Sequence, residues 1–358
     1  MKRKKVAFLL PTFNGGGAQK VVLTWLEYLD QTRFEPVLIV RKKEGPLLSK
    51  VPQNITIIEL HSTRIRYAIK ALARVLNEHH FDTVFSTLNY MNVALLMALK
   101  HLKSRPKIII REANVPSQVF AHEKGLRMRL VKRFMKRYYP KADLVIAQCD
   151  AMREDIMKTL KLNSTKVITL YNPIDLSKLP TTYRFNPYKT HRYNFLAVGK
   201  LTHQKGFDLL LEALVEVVKR HPNAHLTILG DGPLKENLTK QMRHLNLESV
   251  VEMKGYMTDV SAYFHYADAF VLSSRFEGFP NVLLEALAHL TPVVSTDCLS
   301  GPSEILIDPA YDGYLVTPNK VSSLVEGMKK MIEHPLPLSH HVSSFDVHKS
   351  VKKLEGLL

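Results

Sequence analysis

The chain reads as an α/β protein built from two doubly wound, parallel sheets. Three observations lead there. Short apolar runs rich in Val, Ile and Leu alternate with amphipathic segments along most of the chain, the alternation breaks once in a polar stretch at 175–192, and 358 residues exceed what one compact core usually serves. Strands buried on both faces show continuous apolar runs, whereas half-exposed ones alternate, so these runs are assigned to sheets covered by helices on each side.

In chain order, strands are expected at 6–10, 36–40, 55–59, 83–86, 107–111, 144–147 and 167–170, with helices at 19–29, 66–78, 91–100 and 150–160. The polar stretch, with Pro180 and Pro187, is the linker. Beyond it, strands at 193–198, 225–229, 250–253, 269–272 and 292–295 alternate with helices at 207–219, 234–244 and 282–288. Pro335 and Pro337 open a tail whose basic end, 346–358, is weakly helical. The expected domains are therefore 1–180 and 181–335, with 336–358 packing back on the first. Two open sheets facing each other place the carboxyl ends of their strands along one cleft, where such sheets bind ligands.

Apolar residues make up 46% and charged residues 23%, the balance of a folded soluble protein rather than a disordered or collagen-like one. Cys149 and Cys298 have neither a cysteine neighbour nor metal-ligand spacing, which argues against a disulfide framework or zinc site and suits a reducing cytoplasm. The basic N-terminus leads into an apolar run cut short by Pro11 and a glycine triplet, the pattern of a first strand and not of a signal peptide. The strongest apolar window, 93–99, is far shorter than a membrane span. A formal charge of +17 calls for an anionic partner: nucleic acid, an acidic lipid surface or phosphorylated ligands.

Three motifs follow strands. Gly15, Gly16 and Gly17 lie between the first strand and its helix, where bare backbone N–H groups can approach a phosphate; an ordinary turn fits the same residues. After the linker, Gly199, Lys200 and Lys205 follow a strand and lead into a helix, so two ammonium groups can grip adjacent phosphates. His203 between them reads as a loop residue. The third motif runs from Glu277 through Gly278, Phe279, Pro280, Asn281 and Val282 to Glu285. Pro280 suits a first helical turn, which gives a helix at about 280–289 with Glu277 before it and Glu285 inside it. Free N–H groups around Asn281, Val282 and Leu283 would form an anion hole for a diphosphate. Two carboxylates flanking that hole suit sugar and ribose hydroxyls, each oxygen accepting a hydrogen bond. Paired carboxylates also serve glycoside hydrolysis, but their placement around a helix N-terminus favours nucleotide binding.

With these motifs the sequence resembles the retaining glycosyltransferases of family 4, whose GT-B fold has two Rossmann-like domains facing across a cleft. Their E-x7-E pattern matches Glu277 and Glu285, their basic pair Lys200 and Lys205, and their first loop Gly15 to Gln19. Also similar are Gly230-Asp231-Gly232-Pro233, Tyr171-Asn172-Pro173-Ile174-Asp175 and Gly301-Pro302-Ser303-Glu304-Ile305. The resemblance implies that Glu277 contacts the donor sugar and Glu285 the ribose. It further implies transfer with retention from a UDP-hexose or UDP-N-acetylhexosamine to a glycan or polyprenyl-linked acceptor, in bacterial polysaccharide or lipopolysaccharide assembly. Lys200 stands where many relatives have Arg, keeping the charge but losing a bidentate fork. Where many place a His, this chain reads Arg111-Glu112-Ala113-Asn114, which makes Arg111 and Asn114 candidates for the acceptor side. No D-x-D metal motif is present, so a metal-independent reaction without cofactor is expected, with Lys200, Lys205 and helix N–H groups stabilising the departing diphosphate.

The segment 124–141 holds Lys124, Arg127, Arg129, Lys132, Arg133, Lys136, Arg137 and Lys141 and no acidic residue, and its apolar residues fill one broad helical arc. This is the pattern of a helix on an anionic bilayer, each basic residue contributing about 1 kcal/mol near such a surface; a core-packed helix with a solvated basic face is the plainer reading. Lys132, Arg133, Lys136 and Arg137 are the expected membrane-facing groups of an enzyme held at the cytoplasmic face of the inner membrane. A sugar-nucleotide epimerase of similar two-domain fold and a basic nucleic-acid-binding protein are the competing readings. The second lacks any recognised RNA or DNA motif.

Overall fold

The continuous apolar runs form central strands in the computed structural model, which describes residues 2–62, 65–122, 125–183, 185–189, 192–311, 313–336 and 342–358. Two units result, Met1–Pro173 with Phe345–Leu358, and Ile174–Ser344.

The first unit runs β1 (Lys4–Leu10), α1 (Gly17–Tyr28), β2 (Phe34–Val40), β3 (Thr56–Glu59), α2 (Ile65–His79), β4 (Thr83–Thr87), α3 (Asn89–Ala98), β5 (Lys107–Arg111), α4 (Pro116–His122), α5 (Leu126–Tyr138), β6 (Leu144–Ala147), α6 (Asp150–Leu160) and β7 (Val167–Thr169). The second continues with β8 (Tyr193–Val198), α7 (Phe207–Arg220), β9 (Ala224–Leu229), α8 (Lys235–His244), β10 (Val251–Gly255), α9 (Ser261–Tyr266), β11 (Ala269–Leu272), α10 (Asn281–Ala288), β12 (Val293–Thr296), α11 (Pro302–Ile305), β13 (Leu315–Val316) and α12 (Val321–Glu333). The last helix, α13 (Val347–Leu357), belongs to the first unit.

Strand order is β3-β2-β1-β4-β5-β6-β7 in one sheet and β10-β9-β8-β11-β12-β13 in the other, every pairing parallel. In both sheets the strand order reverses at the first strand in sequence, between β1 and β4 and between β8 and β11. The loops leaving those strands part to opposite faces, which opens a crevice at their carboxyl ends. All three of the motifs singled out in the sequence leave strands at these two points.

In the first core, Val6, Phe8 and Leu10 meet Val22, Trp25 and Leu26 of α1 and Val347, Val351 and Leu354 of α13. Each such side chain, once buried, contributes about 2 kcal/mol. Polar contacts fix the tail in register. Trp25 Nε1 donates to Ser350 Oγ at 3.0 Å, and the Asp30 N–H to Glu355 Oε1 at 2.9 Å. Asp346 caps α13 by accepting from the His348 and Lys349 N–H groups at 3.0 and 3.2 Å.

The division between units falls after Pro173, ahead of the boundary expected at 180, because the linker is packed on the second unit. Tyr183 stacks on His265 with ring centroids 4.0 Å apart, and its hydroxyl lies 2.9 Å from His289 Nδ1. Tyr188 donates its hydroxyl to Tyr263 O at 3.0 Å.

Candidate donor site

The switch point of the second sheet gathers the residues that the sequence placed in two separate motifs, after β8 and after β11. Gly199 follows β8, and the loop after it is held by the loop after β9: the Leu201 N–H donates to Asp231 O at 3.0 Å and the Leu234 N–H to Leu201 O at 3.1 Å. The two loops approach so closely that a Cβ on Gly230, at φ +148°, would overlap Gly199 O. Lys200 is exposed on this loop. Lys205 ends the short turn His203–Lys205, and Gly206 adopts the left-handed φ of 63° needed to enter α7.

The loop after β11 brings Glu277 against that turn. Lys205 Nζ lies 2.5 Å from Glu277 Oε1, Ser274 Oγ donates to the same oxygen at 2.6 Å, and Gln204 Nε2 reaches Oε2 at 3.5 Å. With the two side chains 18% and 6% exposed, this is a largely desolvated ion pair, held in place by a hydroxyl and an amide. Ser274 and Gln204 were not singled out from the sequence. A hydroxyl three residues before a carboxylate is too common to stand out.

Glu277, Gly278, Phe279 and Pro280 are all buried, so the three residues after Glu277 shape the loop by backbone and packing. Ser300 Oγ donates to Gly278 O at 2.5 Å, and a Cβ on Gly301, at φ +98°, would press on Pro280. Asn281 and Val282 open α10 half-buried, and Glu285 stands half-buried one turn further along. Two expectations need correction. Pro280 is the N-cap of α10, not part of its first turn. The N–H groups of Asn281 and Leu283 are also taken, donating to Phe279 O at 3.0 Å and Pro280 O at 2.8 Å. The tight turn around Pro280 satisfies them locally, so the anion hole is not three open donors.

Gly16 and Gly17 hold the equivalent place in the first unit, exposed at the start of α1 after β1. A Cβ on Gly16 would overlap the Gln19 side chain.

The expectation that Arg111 faces an acceptor is also corrected. It is fully buried, its Nη1 donating to Thr87 Oγ1 at 3.2 Å and its Nη2 to Asn172 Oδ1 at 2.5 Å, with the guanidinium 5.5 Å from the Trp25 ring centre. Burial pulls its pKa down to about 9. Asn114, half-buried, follows in the loop. The neighbouring Glu112, missed in the sequence, sits in the same network: Tyr139 donates its hydroxyl to Oε1, Asn92 Nδ2 donates there at 3.2 Å, and Gln148 Nε2 donates to Glu112 O at 2.7 Å.

The basic segment forms α5 from Leu126 onward; Lys124 and the Arg127 side chain lie outside the described residues. Its apolar arc is split. Met135 and Tyr139 are buried and Met128, Val131 and Tyr138 half-buried, whereas Leu126, Leu130 and Phe134 are 74%, 45% and 36% exposed. Arg129, Lys132, Arg133, Lys136 and Arg137 are exposed around that outer stripe. No described helix is long and apolar enough to cross a membrane.

Comparison with known proteins assigns the family. Residues 181–345 match the model for glycosyl transferases group 1, and residues 15–178 the model for glycosyltransferase family 4. The chain is 30% identical over 344 residues to the N-acetylgalactosamine-N,N'-diacetylbacillosaminyl-diphospho-undecaprenol 4-alpha-N-acetylgalactosaminyltransferase of Campylobacter jejuni, covering 92% of this chain and 90% of that one. It is 33% identical over 235 residues to an uncharacterized glycosyltransferase of Methanocaldococcus jannaschii, a match that spans 64% of this chain and 56% of the other. Its fold is similar to that of Anabaena Alr3699/HepE in complex with UDP and glucose, with a TM-score of 0.82 over 99% of both chains at 18% identity. Two parallel α/β units with Lys205 and Glu277 joined at the second switch point thus belong to a GT-B glycosyltransferase, a member of the group 1 and family 4 glycosyltransferases.

Proposed function

We propose that this enzyme moves a sugar, with retention and without a metal ion, from a UDP-hexose or UDP-N-acetylhexosamine to a glycan or polyprenyl-linked acceptor in bacterial surface-glycan assembly. The observation that carries the donor reading is the Lys205–Glu277 pair beside the start of α10. An ammonium and a carboxylate held 2.5 Å apart at a sheet switch point present one group for a phosphate and one for a sugar hydroxyl. Glu277 accepts from the donor sugar, Glu285 from the ribose diol, and Lys205 with Lys200 offsets charge as the diphosphate leaves. The lipid-linked substrate named for the Campylobacter relative supports the acceptor class, and HepE binding UDP and glucose supports the donor.

The test is a thermal-shift screen of UDP-, GDP- and ADP-sugars on the wild type and Glu285→Ala, with and without EDTA. Stabilisation by a UDP-sugar, retained in EDTA and lost in the variant, is expected. A wild type that no sugar nucleotide stabilises removes the donor reading.

The outer face of α5 supports attachment to an anionic membrane surface at the cytoplasmic side. Exposed Leu126, Leu130 and Phe134 supply apolar contact, and the five exposed basic residues beside them supply charge.

A further inference from the structure

Three successive carbonyls of the turn that carries Lys205 are held by one short segment after β11. His203 O accepts from Arg275 Nη1 at 2.8 Å, Gln204 O from the Arg275 backbone N–H at 2.7 Å, and Lys205 O from Ser273 Oγ at 2.9 Å. The same guanidinium forks onto Asp208 in the first turn of α7, Nη1 to Oδ1 at 2.8 Å and Nη2 to Oδ2 at 2.6 Å. Burial pushes the Asp208 carboxyl up, but the hydrogen bonds and charge of Arg275 outweigh it and hold the group below its ordinary value. The fit is close, because a Cβ on Gly206 would overlap Ser273 O. Arg275 thus spans the lysine turn, the start of α7 and the loop of Glu277, with its side chain only 10% exposed.

We propose that Arg275, anchored by Asp208, is a positioning residue for Lys205. It sets the turn so that the ammonium stands where the second phosphate of the donor arrives. Only a planar fork can hold a carbonyl and both oxygens of a carboxylate at once, so lysine cannot replace it. A salt bridge that merely stabilised the unit would need only Asp208, whereas Arg275 also holds the His203 and Gln204 carbonyls that lead into Lys205. The inference rests on the donor reading above.

The test measures, by calorimetry, the affinity of wild type and variants for UDP, GDP and ADP and for the matching monophosphates. For the base that the wild type binds, the ratio of monophosphate to diphosphate dissociation constants isolates the second phosphate. Arg275→Met is expected to lower that ratio about tenfold, the loss of roughly one charge-assisted contact, while monophosphate affinity stays within about twofold. Lys205→Met should lower the ratio similarly, and the double variant no further, because Arg275 then has nothing to position. Arg275→Lys should not restore it. Asp208→Asn, which keeps the shape and weakens the fork, should fall between, and it carries the comparison if Arg275→Met does not fold. Equal loss of monophosphate and diphosphate binding, or additive losses in the double variant, overturns the positioning role. An unchanged ratio in Arg275→Met, with a lowered ratio in Lys205→Met, does so while leaving the donor reading intact. A wild type that binds none of the three diphosphates overturns both.

Discussion

Replacing Glu112 with Gln tests the buried polar network of the first unit through its pH dependence. Burial pushes the Glu112 carboxyl from 4.5 up to about 7, against the hydrogen bonds from Tyr139 and Asn92 that favour the charged form. The unfolded chain releases this proton near the ordinary value. Between there and about 7 the folded state therefore binds more protons than the unfolded one, and stability falls as pH rises. The contribution is complete below the unfolded value and lost above the folded one. At about 1.4 kcal/mol per pH unit, the loss between pH 5 and pH 8 amounts to a few kcal/mol. Arg111, lowered to about 9, stays charged across that window and does not offset the change.

Glu112→Gln keeps an oxygen for the Tyr139 hydroxyl and removes the titration. The readout is built into the chain: Trp25 is its single tryptophan, fully buried in the first unit, so its fluorescence follows unfolding of that unit apart from the other. Urea titrations of both proteins at pH 5 and pH 8 give four stabilities, and titrations elsewhere cancel in the difference of differences. The wild type should lose more than the variant on going to pH 8, by an amount on the order of a few kcal/mol. Equal changes in the two proteins would refute the reasoning and leave Glu112 as an ordinary carboxylate.

Three other outcomes are expected. Glu285→Ala should weaken UDP-sugar binding about 10- to 100-fold in titration calorimetry, the loss of one or two hydrogen bonds to a charged group. Cosedimentation with anionic vesicles should disappear when Lys132, Arg133, Lys136 and Arg137 all become Glu, and weaken when Leu126, Leu130 and Phe134 become Ser, whereas neutral vesicles should bind neither form well. Ser350→Ala leaves the buried Trp25 N–H without its acceptor and should destabilise the first unit by about 1–3 kcal/mol in the same fluorescence assay.

How much of this was legible depends on where the partners lie in the sequence. Parallel strands covered on both faces leave short apolar runs rich in Val, Ile and Leu, and β5, β6, β8 and β11 stand where the sequence placed them. By contrast β13 is only two residues, Leu315–Val316, too short for any period, and α12 opens with Val-Ser-Ser, which hides the apolar spacing of Leu324, Met328 and Met331 behind it. Lys205 and Glu277 were each recognisable beside their own strand. Their pairing was not, because they are 72 residues apart and meet only when β11 lies next to β8. Arg111 shows the reverse error. A charge at a strand end looks displayed until Thr87 of β4, Asn172 beyond β7 and Trp25 of α1 close over it, and none of these is near it in sequence.

The basic helix carries the same lesson to the membrane question. Periodicity shows that a helix has an apolar arc but not which part of it the neighbours cover. At 100° per residue Met135 stands opposite Leu126, so one arc cannot hold both against a single partner. The fold resolves this by burying the Met135 and Tyr139 side against the unit and leaving Leu126, Leu130 and Phe134 uncovered. A helix that served only as packing would need apolar residues on the first side alone. The outer stripe, with Arg133 and Arg137 set among its apolar residues, is not part of that packing, and the proposed membrane attachment rests on its pairing of apolar and basic side chains on one exposed face.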